Sequence, residues 1–234
     1  WDLRLDYNNL EQLPDSFDGM TELKSLYLDA NNLRTLPQSL GKCLELRELS
    51  VTKNACAGLV PAVAKLPNLS SFWLSDNCMR NLPKTLGSMV SLTMLDLERN
   101  EMEKFVPLDM LKSLEILKLK RNFIKFIPPE IEKLHNLTYL DISENQLVAI
   151  AAELRFLTSL KSLDVSNNQL VSLPPFPPQQ GPIFGKMVSL EKLNVRKNLL
   201  CDLPLDLWET TTLQELNAHE NPWTGNPKLK RVVA

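Results

Sequence analysis

The chain has 234 residues, of which 44% are hydrophobic and 23% are charged, and its formal net charge at pH 7 is −2. A charge this close to neutral excludes an overall field that favours nucleic acid, so we expect no nucleic-acid partner. The sequence contains no apolar run of about 18 residues or more, so we also expect no membrane-spanning helix.

Ten asparagines recur along the chain, each in the frame Leu-x-x-Leu-x-Leu-x-x-Asn-x-Leu or a close variant. Successive asparagines are 22 or 23 residues apart, except for one interval of 30 residues between Asn168 and Asn198. Such a frame with a period of about 20 to 29 residues is typical of a leucine-rich-repeat solenoid. The ten positions are Asn8, Asn31, Asn54, Asn77, Asn100, Asn122, Asn145, Asn168, Asn198 and Asn221.

Each unit is expected to begin with a short strand. In the unit from Leu23, the alternation of apolar and polar residues predicts that Leu26 and Leu28 are buried and that Tyr27 faces outward. Asn31 ends this strand, where its side-chain amide can both donate to and accept from the backbone, so we expect a ladder of such asparagines across repeats. The Leu-Pro step that follows most of them marks the start of a helical turn or a short 3-10 segment on the convex side.

No single unit can bury its apolar face alone, so the units must stack around one continuous core. We therefore predict an α/β fold, a leucine-rich-repeat solenoid shaped as a curved horseshoe. A parallel sheet forms its concave face, and short helices, 3-10 turns and loops form its convex face. The prediction is a single domain over residues 1–234 with about ten repeats, in which 1–22 is a partial first repeat and 213–234 is the last strand and a C-terminal cap.

The long interval contains a proline-rich insertion at residues 174–183. Its PxxP spacing favours an extended polyproline conformation of the kind that aromatic grooves bind. No arginine or lysine flanks it in the arrangement that such grooves usually require. The alternative is a loop that only accommodates the extra residues.

The four cysteines indicate a reducing environment. Cys43 and Cys56 fall at inward repeat positions, where a small apolar residue is expected, and Cys78 and Cys201 lie at turns after their asparagines. There is no CxxC and no paired spacing, so we predict free thiols with structural roles. Two glycosylation sequons are weak evidence for the opposite environment, and chance explains them as well. We predict a cytoplasmic location.

The outward strand positions carry the candidate site. Met94, Ile116 and Tyr139 occupy one row in three successive repeats, and Trp73 lies one strand away and one position across. Outward positions are normally polar and exposed, so four large apolar groups together predict a protein-binding hot spot. The predicted partner-binding residues, with the charged groups around this cluster, are Tyr27, Trp73, Met94, Asp96, Arg99, Ile116, Lys118, Lys120, Arg121, Tyr139 and Asp141.

The charged groups have alternative interpretations. Asp96, Lys118 and Asp141 can pair with one another across strands, which would leave a solvated, self-paired surface. Asp141 and Asp164 lie at neighbouring strand positions that we expect to be exposed, and they could hold a cation, although we identify no third ligand except Glu144. A second basic group, which would form a smaller rim site, consists of Lys192, Arg196 and Lys197.

We find no catalytic constellation in the sequence. The two histidines, His135 and His219, are too far apart in repeat order to act together, and no cysteine has a histidine placed for nucleophilic catalysis. There is also no phosphate-binding loop and no GxGxxG motif. We therefore expect no enzymatic activity, no cofactor, no metal site and no small-molecule substrate.

The 23-residue unit with Leu-Pro-x-x-Leu-x-x-Leu after the asparagine resembles the Ras-group intracellular leucine-rich-repeat proteins. That group includes the Ras suppressor, Scribble and Erbin, and the plant intracellular Ras-group proteins. The resemblance is clearest at residues 23–43, 69–89 and 114–134. Three units lack the proline, among them the unit with Ala151.

The resemblance implies a non-catalytic protein–protein interaction scaffold in signal transduction that binds its partner through the concave face. It implies a small GTPase or a phosphatase as classes of partner. Two alternatives stay open. The chain is the recognition arm of a larger signalling or effector enzyme whose catalytic domain lies outside this sequence, or it is an architectural subunit of a large assembly.

Overall fold

Ten short parallel strands, one from each repeat, form a single sheet in the computed structural model, which describes residues 1–105, 111–173 and 183–224. The order of the strands in the sheet is their order in the chain. Equivalent residues of successive repeats are partners across the sheet, as Leu26 and Leu49 are. The predicted solenoid fold is confirmed. The strands are β1 (Asp2–Arg4), β2 (Ser25–Tyr27), β3 (Glu48–Ser50), β4 (Ser71–Trp73), β5 (Met94–Asp96), β6 (Ile116–Lys118), β7 (Tyr139–Asp141), β8 (Ser162–Asp164), β9 (Lys192–Asn194) and β10 (Glu215–Asn217).

The segments that return from one strand to the next contain 3-10 helices of three to five residues, and no helix in the described part of the chain is long and apolar enough to cross a membrane. Pro37, Pro83, Pro128 and Pro204 each precede one of these helices, with φ between −74° and −65° and ψ between 144° and 153°. Ala151 has a similar conformation (φ −71°, ψ 138°) without the proline ring. The helices are Phe17–Gly19, Gln38–Lys42, Val63–Lys65, Lys84–Ser88, Pro129–Lys133, Ala152–Phe156, Phe184–Lys186 and Leu205–Glu209.

The inward leucines form one continuous hydrophobic core that runs through the stacked repeats. Leu26 and Leu28 are fully buried and Tyr27 between them is partly exposed, as the alternation predicts. Cys43 and Cys56 lie in this core as free thiols, and burial raises the pKa of the Cys56 thiol to about 12. Cys56 therefore stays a thiol at neutral pH, in keeping with the structural role predicted for it.

The repeated asparagines form a ladder of hydrogen bonds where the strands end, as predicted. Asn122 is buried, and its Nδ2 donates to the carbonyl oxygens of Leu97 and Leu119 at 2.9 and 3.0 Å. Its Oδ1 accepts a hydrogen bond from the backbone N–H of Met102 at 2.9 Å. Leu97 and Met102 belong to the preceding repeat, so every ladder asparagine from Asn31 onward joins two repeats at the point where regular strand pairing stops.

The residue before each ladder asparagine has a positive φ, between 50° and 57°. This left-handed conformation turns the chain inward, and it costs a residue with a Cβ atom roughly 1–2 kcal/mol. No glycine occupies these positions. Hydrogen bonds on both sides fix the conformation instead, since the ladder asparagine follows the residue and, except in the last repeat, the residue's own N–H donates to the next repeat, as Arg121 N–H does to the Ser143 carbonyl oxygen at 3.0 Å. The residues are Tyr7, Ala30, Lys53, Asp76, Arg99, Arg121, Glu144, Asn167, Lys197 and Glu220.

Two predicted features lie partly outside the described residues. Of the proline-rich insertion, only Ile183 is described. The backbone N–H groups of Ile183 and Phe184 donate to the buried Asp206 carboxylate at 2.7 and 2.8 Å, which anchors the chain as it enters the next 3-10 helix. Of the predicted cap, residues 225–234 lie outside the described part, whereas Trp223 is buried against the core.

We expect Asn122→Ala to lower the free energy of unfolding by about 3 kcal/mol or more, because it leaves several buried backbone groups without partners at roughly 1–3 kcal/mol each. Urea unfolding followed by circular dichroism measures this quantity. Asn8→Ala is the matched control. Asn8 is exposed and donates only to carbonyl oxygens of its own repeat, so we expect a loss below about 1 kcal/mol. Equal losses in the two variants would contradict a ladder that joins the repeats.

Candidate functional site

The four apolar side chains singled out in the sequence come from adjacent positions on the concave strands. Met94, Ile116 and Tyr139 are successive partners across β5, β6 and β7. Ser71 is the partner of Met94, and Trp73 lies two residues further along β4 on the same side of the sheet. All four apolar side chains are partly exposed. We refer to Trp73, Met94, Ile116 and Tyr139 as the apolar surface.

Tyr27 lies apart from the apolar surface. It belongs to β2, and Ser50 on β3 separates it from Trp73 on β4. The Arg4 guanidinium lies over its ring, 4.1 Å from the ring centroid, and its hydroxyl donates to the Glu48 carboxylate. The hydrogen bond to Glu48 is the main reason that the pKa of Tyr27 is raised. Tyr27 is thus held by its own neighbours and does not join the cluster.

Four ion pairs surround the apolar surface. Their basic members are partly exposed, so each pair contributes at most about 1 kcal/mol. The hydrogen bond from Arg121 is the main reason that the pKa of Glu144 is lowered. The charged side chains around the apolar surface are therefore paired with one another. Each pair is weak, so a charged group of a partner can replace one of its members. The pairs are Lys118–Asp96 (3.6 Å), Arg99–Asp76 (3.2 Å), Lys120–Glu144 (3.2 Å) and Arg121–Glu144 (2.5 Å).

Two of the three members of the second basic group, Lys192 and Arg196, are paired in the same way. Lys192 Nζ lies 3.1 Å from Glu215 Oε2, and Arg196 pairs with Glu220. All four side chains are exposed, so these pairs form a weak polar rim and not a free positive patch.

Asp96 and Asp141 are buried, contrary to the prediction that these outward positions are exposed. Each is 7% exposed. Each carboxylate accepts a hydrogen bond from the backbone N–H two residues further on, from Glu98 at 3.0 Å and from Ser143 at 2.9 Å. The short aspartate side chain folds back onto the end of its own strand. Because neighbouring strands are only about 4.8 Å apart, the longer side chains on either side cover it. Both residues therefore have a structural role at the strand end.

Asp141 and Asp164 are partners across β7 and β8, and neither forms an ion pair with another described residue. We refer to them as the acidic pair. Burial raises the pKa of the Asp141 carboxyl and the charge of Asp164 adds to the increase, while Ser143 opposes it. Burial likewise raises the pKa of Tyr139 to about 12, with contributions from both carboxylates. Lys120 also opposes the increase at Asp141, although it pairs with Glu144. The concave face thus has two carboxylates without an ion-pair partner among the described residues next to the apolar surface.

The acidic pair does not acquire a third ligand for a metal ion. Glu144, which the sequence offers as that ligand, is engaged by Lys120 and Arg121. Across residues 1–105, 111–173 and 183–224, no group of three or more His, Cys, Asp or Glu side chains is arranged to hold a metal.

A cavity of about 150 Å³ opens beside the acidic pair. Asn194 Nδ2 donates to Asp164 Oδ2 at 2.8 Å, and Asn194 Oδ1 accepts from the Arg196 N–H at 3.1 Å. A larger cavity of about 450 Å³ lies at the outer edge of β1, and none of the predicted binding residues lines it. The smaller cavity is lined by Tyr139, Ser162, Asp164, Lys192, Asn194 and Glu215, with two core leucines.

The predicted set of binding residues omits Asp164 and Asn194, which the structure places beside Tyr139. A sequence signal for them exists. The second outward position of the strand is Asp or Asn in five repeats, whereas a surface without constraint would vary more widely. These residues are Asp96, Asp141, Asp164, Asn194 and Asn217.

Two family models, both described as a leucine-rich repeat, match the chain. One matches residues 44–102 and 112–170 and the other matches residues 22–43, which together make up more than half of the chain. The chain belongs to the leucine-rich-repeat family. Leucine-rich-repeat domains generally mediate protein–protein interactions, and neither model describes a catalytic domain. A search of the curated proteins found no match.

Solved leucine-rich-repeat structures share the fold. An internalin (inlF) of Listeria monocytogenes is 23% identical with a TM-score of 0.71, over 90% of this chain and 65% of that one. The functional domain of InlJ from Listeria monocytogenes is 24% identical with a TM-score of 0.77, over 94% and 44%. The Arabidopsis receptor kinase HAESA, in complex with the peptide hormone IDA and the co-receptor SERK1, is 28% identical with a TM-score of 0.76, over 94% and 37%. The chain thus spans less than two thirds of each of these three structures.

We expect Asp141→Asn to stabilise the leucine-rich-repeat domain at pH 7 by up to about 1 kcal/mol, the scale of a like-charge pair across strands. Asparagine keeps the hydrogen bond to the backbone, as Asn194 does, and removes the charge. The folded-state pKa of Asp141 is raised above 3.8, so the contribution of this group to wild-type stability is greatest below that pH and is lost as the pH rises through the raised pKa. The variant lacks this loss, and the difference between the proteins in urea unfolding should shrink as the pH approaches 3.8.

Asp76→Asn is the control for this substitution. Asp76 pairs with Arg99, so the loss of its charge should destabilise the protein slightly. If wild type proves more stable than Asp141→Asn at pH 7, the acidic pair is compensated and the electrostatic argument is wrong.

Proposed function

We propose that the chain is a non-catalytic protein–protein interaction scaffold in signal transduction and that it binds its partner through the concave face. The apolar surface is the observation that carries this proposal. Its row is polar on both sides, at Ser71 and Ser162, and apolar in the three repeats between them. Apolar side chains that lie side by side and remain partly exposed gain free energy when a partner covers them. Trp and Tyr are also frequent anchors of binding energy.

The ion pairs around the apolar surface supply the polar rim of the proposed interface. Protein interfaces combine an apolar centre with such a rim. Since each exposed pair is weak, a charged group of the partner can replace one of its members at little cost, and the rim then favours one orientation of the partner. Arg99, Lys118, Lys120 and Arg121 act in this way. Asp96 and Asp141 are buried beneath these side chains and act on the partner only through the electrostatic field of their charges.

Three observations support the class of partner. Leucine-rich-repeat domains generally bind proteins, and HAESA, at 28% identity, was solved with a peptide hormone and a co-receptor. The resemblance to the Ras-group proteins favours a small GTPase or a phosphatase. Four free cysteines are in keeping with the cytoplasmic location that this resemblance implies.

The second candidate function is the recognition arm of a larger signalling enzyme. The similarity to HAESA, a receptor kinase of whose solved chain this sequence covers 37%, favours it. The full reading frame distinguishes the two functions, because a recognition arm requires a catalytic domain in the same polypeptide.

We expect Trp73→Ala combined with Lys118→Glu to abolish capture of the partner from a native lysate, because the variant lacks an anchor and inverts a rim charge. Quantitative mass spectrometry should show the partner reduced by at least about tenfold, which corresponds to roughly 1.4 kcal/mol. The matched control is Phe126→Ala combined with Lys125→Glu, the same two changes on exposed residues outside the strands. It should leave capture unchanged, and circular dichroism should show that both variants are folded.

Two results would place the binding site elsewhere. One is a partner that the control variant loses and the concave variant retains. The other is loss of capture when residues 175–181 are deleted, since the proposed interface does not include them.

A further inference from the structure

Two buried polar atoms of the described residues have no hydrogen-bond partner, and both lie at the concave strand ends. They are Ser143 Oγ and Asn217 Oδ1. Ser143 is 2% exposed and follows Asp141 by two residues. The nearby Ser143 lowers the pKa of the Asp141 carboxyl. Asn217 is the partner of Asn194 across β9 and β10. Neither residue lines the cavity beside the acidic pair, so the charge and the shape of that cavity, and not these two atoms, define the candidate site.

The acidic pair adds charge that the fold does not need. Asp141 and Asp164 each accept a hydrogen bond at 2.9 Å from the backbone N–H two residues further on. Asn194 accepts the equivalent bond from Arg196 at 3.1 Å without a charge. At β7 asparagine would make the same bond and would avoid like charges on neighbouring strands, which destabilise a sheet. Asp164 uses its second oxygen as well, as the acceptor of Asn194 Nδ2 at 2.8 Å. No described cation forms an ion pair with either carboxylate, so this part of the concave face is acidic.

The cavity beside the acidic pair has the size of one side-chain head. Its volume of about 150 Å³ corresponds to roughly five water molecules at ~30 Å³ each, which is enough for a guanidinium or an ammonium group with its last methylene groups. Tyr139 lines the cavity and also belongs to the apolar surface, so one segment of a ligand can occupy both. Lys192 lines the rim but pairs with Glu215 at 3.1 Å, and it does not neutralise Asp164.

We propose that this cavity receives one arginine or lysine side chain of the protein partner, while apolar side chains next to it cover the apolar surface. The inference rests on the proposed function and names the chemistry of the partner. The Asp164 carboxylate binds the cation, and the Tyr139 ring forms the wall against which it packs. Arginine suits the site better than lysine, because its planar fork of five donors can reach a carboxylate and an amide oxygen together.

A peptide-display selection on the immobilised full chain tests this inference, with EDTA present so that no metal ion bridges the carboxylates. Wild type, Asp141→Asn/Asp164→Asn and Trp73→Ala/Ile116→Ser are used in parallel. We expect wild type to enrich peptides that carry arginine or lysine beside apolar residues. In fluorescence anisotropy, the affinity of an enriched peptide should fall by at least about tenfold on the double asparagine variant. Replacing its arginine with citrulline, a neutral analogue of similar shape, should cause the same loss on wild type and no further loss on that variant.

The outcomes separate this inference from the proposed function. Peptides that the double asparagine variant retains and the Trp73→Ala/Ile116→Ser variant loses would overturn the cation site and leave concave-face binding intact. Equal binding to all three proteins, or no enrichment on wild type, would overturn both. Circular dichroism and urea unfolding verify that the three proteins are folded under the conditions of the binding assay.

Discussion

The rest of the structure depends on the hydrogen bonds of the asparagine ladder. At each strand end the chain turns away from the sheet, and backbone groups of two repeats lose their partners there. One side-chain amide satisfies them: Asn100 donates to the carbonyl oxygens of Leu74 and Leu97 and accepts from the N–H of Met79. Because the ladder also holds the left-handed residue before each asparagine, that residue need not be glycine. Lysine, arginine, glutamate and tyrosine all occupy the position, and their side chains remain available to the surface.

The ladder also converts a period in the sequence into a continuous surface. The unit between Asn100 and Asn122 is one residue shorter than its neighbours, yet Asn122 still bonds to Leu97 and the strands keep their register. The same holds across the 30-residue interval, where Asn198 donates to the carbonyl oxygen of Val165. Changes of length are therefore confined to the return segments. Side chains 22 to 30 residues apart become neighbours on the concave face, so single substitutions in separate repeats can assemble one binding surface.

The features that follow from period and alternation could be predicted from the sequence. These are the inward leucines, the ladder and the row of Met94, Ile116 and Tyr139, because stacking forces equivalent residues into register. The burial of Asp141 could not be predicted, and the sequence offered Asp96 and Asp141 alike as partners of Lys118 without deciding between them. They depend on rotamers and on the competition between a backbone N–H and a cation for one carboxylate, which spacing does not encode. The Leu-Pro spacing likewise fits a helical turn and a 3-10 segment equally well.

Because contacts between repeats are local, the acidic pair can lie within the solenoid without disturbing the rest of the fold. Repeats contact mainly their nearest neighbours, so the repulsion between Asp141 and Asp164 stays local while the core and the ladder stabilise the strands on both sides. Tyr139 belongs to the apolar surface and to the cavity, and this couples the two. A partner that covers Tyr139 excludes water from Asp164, and in the lower dielectric the attraction of that carboxylate for a cation becomes stronger. The proposed apolar contact and the proposed charge recognition would therefore be cooperative, since each would increase the free energy gained from the other.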